Sequence, residues 1–428
     1  MQTEAIYKLF KQSKGISTDT RSIEEGQLFF ALSGPNFNAN KFAQMAIDKG
    51  AIAAVVDHKD YAVNDNYILV EDCLKQLQAL ANYHRNQLEC TIIAVCGSNG
   101  KTTSKELIAR VLESTFNTFY TPGNFNNHIG VPLSLLMLKP EHEYAVIEMG
   151  ANHAGEHELL CQIAEPDFGV ITNNGKDHLE GFGSIEGVIK ANAELFHYLE
   201  ENLKTAFVNA DDDILMTNSE NIARICYGTS VDSDCQVSLL NTFPFTKVKL
   251  NFRSPEACEV VESQMFGSFQ QHNLALAASI GNHFDVDSEK IKDALESYQP
   301  ANMRTQLTQW QGNDILLDAY NANPSSVMAI LNDFVKFNHR KKGVVLGDML
   351  EMGDASFGEH KAVVEFLKQY KFSFVALVGK EFAKHQIDGF HYFEKNTDAK
   401  SWLLQNGTKD HYILIKGSRG LKLEDIIK

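Results

Sequence analysis

TIIAVCGSNGKTTSKELI, residues 91–108, runs from an unbroken apolar stretch through a turn bounded by two glycines into a helix-forming stretch. An apolar run such as 91–97 suits a strand buried on both faces of a parallel sheet. The segment that follows, TTSKELIARVLES, has helical character. Between them, Gly97, Ser98, Asn99, Gly100, Lys101, Thr102 and Thr103 form a strand-to-helix turn. Such a turn aims backbone N–H groups and a helix N-terminus at one point, which suits a phosphate. The common phosphate loop reads G-x-x-x-x-G-K-[ST]. Aligned on Gly100-Lys101-Thr102, that pattern calls for glycine at position 95, where this chain has Val95. With its first glycine at Gly97, the loop is a shortened one. A plain turn is the alternative, but Gly-Lys-Thr-Thr in this strand–loop–helix setting favours phosphate. Lys101 would then meet the β- and γ-phosphates, and the Thr102 hydroxyl a Mg²⁺ ion.

The rest of the chain bounds the class. Its 428 residues leave room for two or three domains. A net charge of −16 argues against a general nucleic-acid binder, which carries a basic face. Seven cysteines with no C-x-x-C pair read as reduced thiols. The N-terminal stretch lacks the apolar core of a signal peptide, and no run approaches the ~18 apolar residues of a membrane span. These features predict a cytoplasmic protein with no nucleic-acid partner and no stable membrane insertion.

Strand-like runs at 26–32, 51–57 and 67–72 flank helices at 40–50 and 73–86, which predicts a small N-terminal α/β domain over 1–86. From 87 to 300, strands at 91–97, 144–150, 168–175 and 205–211 alternate with helices, the pattern of a parallel-sheet domain of P-loop type. A β-rich insert, VSLLNTFPFTKVKLNF, precedes a helix near 271–283. From 301 to 428 the alternation restarts with strands at 315–320, 343–348, 373–379 and 412–417, a Rossmann-like unit. SYQPANMR (297–304) contains Pro300 and has no periodicity, so a hinge is placed there. The fold class is α/β with three domains.

In a doubly wound sheet, ligands collect at the C-terminal ends of the strands. Glu148 ends the strand at 144–150, where a carboxylate either holds Mg²⁺ or faces solvent at a turn. His178, in NNGKDHLEGFGS, follows the next strand on the same edge and is either a ligand or an ordinary loop histidine. Lys190 lies beside the apolar stripe of a helix that Ser184 can cap, and by chemistry alone it reads as an ion pair with Glu194 one turn on.

Taken together, these stretches resemble the Mur ligase family of ATP-dependent amide-forming enzymes. The shortened loop looks like that family's phosphate loop. TPGNFNNHIGVPLSLL (121–136), DTRSIEEGQLFFALSGPNFN (19–38), DAYNANPSS (318–326), VLGDMLEMG (345–353) and ILIKGSRG (413–420) are similar to the branch that joins UDP-N-acetylmuramoyl-tripeptide to D-alanyl-D-alanine. The resemblance implies ATP and two Mg²⁺ ions, with the N-terminal domain on the nucleotide-sugar peptide, the central domain on ATP and the C-terminal domain on the dipeptide. It implies that Lys190 is carbamylated and joins Thr102, Glu148 and His178 around metal, that Arg304 and Asp318 reach ATP, and that Asn273 meets the adenine. A gap-free match to the family motif puts Gln270 at an earlier motif position and leaves His272 out of register. Asn124, Asn126, Asn127, Asn321, Asn323 and Lys416 become substrate-side residues, and Arg419 belongs to the same basic motif as Lys416. Lys101, Lys190, His178 and Arg304 form the implied catalytic set, and the family is usually monomeric. Where the family commonly has Asp-Gly, this chain has Asn38-Ala39. Two alternatives compete: another amide ligase of the family (the enzyme adding the third amino acid, or folylpolyglutamate synthetase) and, from a different class, a regulatory P-loop NTPase.

Overall fold

The computed structural model describes residues 2–253, 256–338 and 341–428. Among them, three parallel-rich sheets follow one another along the chain. The first has four parallel strands, Ile16–Ser17, Leu28–Phe30, Ala53–Val56 and Tyr67–Leu69. The second has nine. Its parallel part runs in space through Cys235–Asn241, Ala223–Gly228, Thr205–Asn209, Phe168–Ile171, Thr91–Cys96, Tyr144–Glu148 and Thr118–Tyr120. Antiparallel Lys247–Arg253 and Glu256–Glu262 extend its far edge. The third runs Gln306–Trp310, Asn313–Asp318, Tyr412–Lys416, Lys342–Gly347, Phe374–Val378 and His391–Phe393, parallel after its first strand.

The strand Thr91–Cys96 shows why the opening stretch is apolar throughout. Ile92, Ala94 and Cys96 face one core, whereas Ile93 and Val95 face another with Leu107, Ile108, Val111 and Leu112 of the helix Lys101–Glu113. The first of these cores is shared with Phe29, Val55 and Leu77, so the N-terminal sheet packs against the central one. On the opposite side, Leu179, Val188 and Phe266 join a core with Leu316, Val327 and Leu346 of the third unit.

Topology then places the site. The chain leaves Thr91–Cys96 toward the edge strand Thr118–Tyr120, whereas it leaves Tyr144–Glu148 by crossing back to Phe168–Ile171. Connections that depart in opposite directions open a crevice at the C-terminal strand ends. The turns after all three central strands meet there.

Three elements differ from the expectation. The segment 40–50 begins as a 3-10 turn, Ala39–Phe42, before the helix Ala43–Asp48, because Asn38 accepts from the Asn40 N–H and starts the turn early. The strands Ala223–Gly228 and Gln306–Trp310 lack long apolar runs. Each is only partly buried and is recruited by its neighbour's ladder.

The helices Glu156–Ala164 and Ile185–Glu201 enclose His157, whose Nδ1 lies 3.0 Å from Ala191 O. Burial lowers its pKa to about 4, because no water solvates the imidazolium there. Above the unfolded value near 6.5, both states are neutral and His157 adds no pH dependence. As pH falls from there toward 4, the unfolded chain takes up the proton first, and stability declines by about 3 kcal/mol. Urea unfolding at stepped pH checks this: His157→Gln should lack that part of the decline.

Candidate active site

The turn after Thr91–Cys96 is held in shape by the turn after Phe168–Ile171. Gly97 (φ +116°) and Gly100 (φ +82°) occupy backbone conformations that side chains disfavour. At Gly97 a Cβ would collide with the Thr172 hydroxyl. Ser98 N donates to Asn173 O (3.0 Å) and Asn99 N to Asn173 Oδ1 (3.1 Å). The Thr172 hydroxyl donates to Asn99 O (2.7 Å), and the Ser98 hydroxyl to Asp177 Oδ1 (2.6 Å). The helix Lys101–Glu113 starts at once, and its first N–H groups have no partner within the helix. Lys101 Nζ folds back over the turn onto Gly97 O and Ser98 O.

Glu148 ends its strand 2 % exposed. Its Oε1 accepts from Asn126 Nδ2 (2.8 Å), whereas Oε2 makes no hydrogen bond and lies 3.4 Å from Lys105 Nζ. Asn126 thereby ties the asparagine-rich loop to the carboxylate. Asn127 spends its Oδ1 on the N–H groups of Ile129 and Gly130, at the start of the short helix Gly130–Leu135.

The third sheet completes the site from across a cavity of about 610 Å³. Lys416, 2 % exposed, donates to Asp318 Oδ2 (2.6 Å) and Asn321 O (3.0 Å). The Arg304 guanidinium lies 3.8 Å over the Tyr320 ring, and its buried Nε makes no hydrogen bond. Asn323 caps the helix Pro324–Lys336 through Ser326 N (2.8 Å), and its Nδ2 reaches Asn99 Oδ1 (2.9 Å). Lys176 N donates to Ser325 Oγ (2.9 Å) nearby. Asn273 accepts from the Ser104 hydroxyl (3.1 Å) and donates to Gln270 Oε1 (2.8 Å).

One cavity therefore gathers Ser98, Asn99, Gly100, Lys101, Thr102, Thr103, Asn124, Asn126, Asn127, Glu148, His178, Gln270, Asn273, Arg304, Asp318, Asn321, Asn323 and Lys416. Gly97 lies just behind the wall. Lys190 and Arg419 stand outside it: both are exposed, and Arg419 pairs with Glu424 at 2.7 Å. No Lys190–Glu194 ion pair forms among the described residues. The Glu194 carboxylate instead accepts the N–H groups of Gly155 (2.7 Å) and Glu158 (3.1 Å). His272 is also outside the cavity, with Nδ1 3.6 Å from Asp211 Oδ2.

The Mur ligase middle domain matches residues 95–281, and the Mur ligase glutamate ligase domain matches 303–419. Over 97% of its length, the chain is 34% identical to the UDP-N-acetylmuramoyl-tripeptide--D-alanyl-D-alanine ligase of Bacillus subtilis (strain 168), covering 92% of that protein. The chain belongs to the Mur ligase family.

Solved Mur ligases share the whole architecture. A MurF structure from Acinetobacter baumannii superposes with a TM-score of 0.87 at 27% identity, covering 99% of this chain and 97% of that one. MurF from Thermotoga maritima, solved in complex with ADP, gives 0.87 at 26% identity, covering 98% and 96%.

This Mur ligase also carries site residues that sequence reasoning passed over. Asp177, adjacent to His178, lines the cavity and anchors Ser98. Lys105 is 1 % exposed, and its ammonium donates to Thr121 O (2.9 Å) and Gly123 O (3.3 Å) beside Glu148. Its signal was legible: a charged residue on the apolar face of the helix, one turn after Lys101. Tyr320 lies within the motif at 318–326, and Thr305 had no comparable signal, because their contacts with Arg304 and Gln270 are made only in the fold.

Proposed function

We propose that the protein is an ATP-dependent ligase that joins D-alanyl-D-alanine to UDP-N-acetylmuramoyl-tripeptide through an acyl phosphate. The observation that carries this reading is end-to-end similarity to ligases of that name, together with a phosphate-binding turn, a buried carboxylate and asparagine-rich motifs on one cavity. The division of labour follows the chain: 1–86 for the nucleotide-sugar peptide, 87–300 for ATP and 301–428 for the dipeptide.

A carboxylate does not condense with an amine in water, because hydroxide would have to leave. The peptide carboxylate attacks the γ-phosphorus of ATP and expels ADP, which makes a mixed anhydride. The amine of D-alanyl-D-alanine then attacks the acyl carbon and expels phosphate. The first step brings two anions together, so fixed positive groups dominate it. Lys101 and the helix N-terminus hold the phosphates. The unpaired Nε of Arg304 adds a donor from the opposite wall, with the guanidinium plane fixed by Tyr320. Closure of the third unit through Asn323–Asn99 and Lys176–Ser325 excludes water, to which the anhydride would otherwise be lost.

Mg²⁺ fits this lining. It favours oxygen and keeps places for phosphate and water, and Oε2 of Glu148 makes no hydrogen bond among the described residues and has the Lys105 ammonium 3.4 Å away. Thr102, Glu148 and His178 would hold the ion, which when bound neutralises phosphate charge. A second ion on a carbamate of Lys190 would require that this exposed side chain be brought to the cavity. We place the enzyme in the cytoplasm as a monomer. Among the described residues, no helix is long and apolar enough to cross a membrane.

Supplied with ATP, Mg²⁺ and the muramyl tripeptide, the protein should release phosphate with D-alanyl-D-alanine and not with single amino acids, and mass spectrometry should find the new peptide bond. Release without an acceptor would favour a nucleotide switch. The same preparation, equilibrated with ¹³C-bicarbonate, tests Lys190 by the carbamate NMR signal.

A further inference from the structure

The motif VLGDMLEMG has no role in the reading above, yet it delivers a carboxylate to the active site from the third unit. His178 lines the main cavity, whereas Glu351 lines a shallow second cleft of about 380 Å³. His178 Nδ1 lies 2.6 Å from Glu351 Oε2. At that separation two lone pairs would repel each other, so Nδ1 is the nitrogen that carries a proton toward the carboxylate. Nε2 makes no hydrogen bond among the described residues.

Three observations mark this contact as built. Both residues have left-handed backbones without being glycine (φ 44° at His178, φ 64° at Glu351), a conformation kept where the surroundings demand it. Glu180 N donates to Glu351 O at 3.1 Å, which locks the two loops together. Lys384, the one lysine or arginine lining the cleft among the described residues, is taken by Glu381 at 2.7 Å. The Glu351 side chain is 56% exposed. Such a pair adds little to folding, so its consequence falls on the histidine.

We propose that Glu351 is a positioning residue: it fixes the Nδ1-protonated tautomer and ring orientation of His178 across the unit boundary, so that Nε2 faces the metal only when the third unit is closed. This rests on the reading of His178 as a metal ligand. A carboxylate behind a ligating imidazole orients the ring and raises its basicity, and its loss typically costs about 10–100-fold in metal affinity.

The test titrates Mn²⁺ into the full-length protein with a non-hydrolysable ATP analogue and reads free Mn²⁺ by electron paramagnetic resonance. Glu351→Ala should weaken Mn²⁺ binding about 10–100-fold with the melting temperature unchanged. His178→Ala should weaken it at least as much, and the double variant no further. Lys176→Ala removes a neighbouring closure contact, Lys176–Glu359 at 2.6 Å, and should weaken Mn²⁺ binding far less than Glu351→Ala does. If His178→Ala weakens binding and Glu351→Ala does not, His178 remains a ligand and the proposal is wrong. If Lys176→Ala weakens it equally, Glu351 acts through closure alone, which also overturns the proposal. If no variant changes it, His178 is not a ligand and the reading beneath fails too.

Discussion

Lys101→Ala should lose ligase activity by a factor of hundreds or more and still melt where the parent melts. Its ammonium is the side-chain cation carried by the proposed phosphate-binding turn itself. Removing one preorganised donor to developing charge typically costs about 2.7–4 kcal/mol of transition-state stabilisation. The fold does not depend on it. Lys101 Nζ contacts the carbonyls of Gly97 and Ser98 at the surface of the turn. The helix behind is anchored by Leu107, Ile108, Val111 and Leu112, all buried, and the turn is clamped independently by Thr172, Asn173 and Asp177. Steady-state phosphate release and a thermal melt on one preparation decide the matter. Wild-type-like turnover would refute the assignment, and a collapsed melt would show that the turn needs its lysine to fold.

Sequence patterns carried the sheets further than the site. Apolar runs such as 91–97 and 412–417 are buried on both faces, so a strand there is forced by hydrophobicity alone. Ala223–Gly228 is half exposed, and nothing local marks it; its strand state comes from pairing with Thr205–Asn209. The turn at 97–101 was legible because its glycines are demanded by backbone geometry and collision. Glu148 and His178 could be placed on the right edge but not told from bystanders, since any ligand role would depend on what surrounds them: for Glu148 an oxygen that makes no hydrogen bond among the described residues, and for His178 a carboxylate arriving from residue 351. Lys190 illustrates the opposite limit. Its assignment came through resemblance, and the chain holds it outside the cavity with Glu194 already committed to the backbone of Gly155 and Glu158. The asparagines divide in the same way. Asn323 has both ends of its carboxamide engaged within the protein, so its motif position reflects closure and capping as much as substrate.

Lys105→Met should be the most destabilising of the site substitutions, by about 3–5 kcal/mol, because breaking a buried pair leaves a charge without compensation. Lys105 and Glu148 are 1% and 2% exposed and 3.4 Å apart. Methionine fills much of the same volume, so the cost comes from Glu148 and from the carbonyls of Thr121 and Gly123, which lose their donor. Those carbonyls open the loop that carries Asn124, Asn126 and Asn127, so the substitution should also slow the ligase. Lys105→Met/Glu148→Gln removes both charges and should regain much of the lost stability in urea unfolding, a non-additivity expected of groups in contact. It should regain no activity, since the charged carboxylate proposed to hold the metal is gone. A Lys105→Met protein as stable as the parent would mean that water reaches Glu148 and solvates it. Lys101 and Lys105 stand one turn apart on the same helix face. The first lies at the mouth of the turn, where the proposed phosphate would sit, and the second, one turn deeper, holds Glu148 and the 121–127 loop. One helix thereby sets the spacing between the proposed phosphate turn and the Glu148 carboxylate.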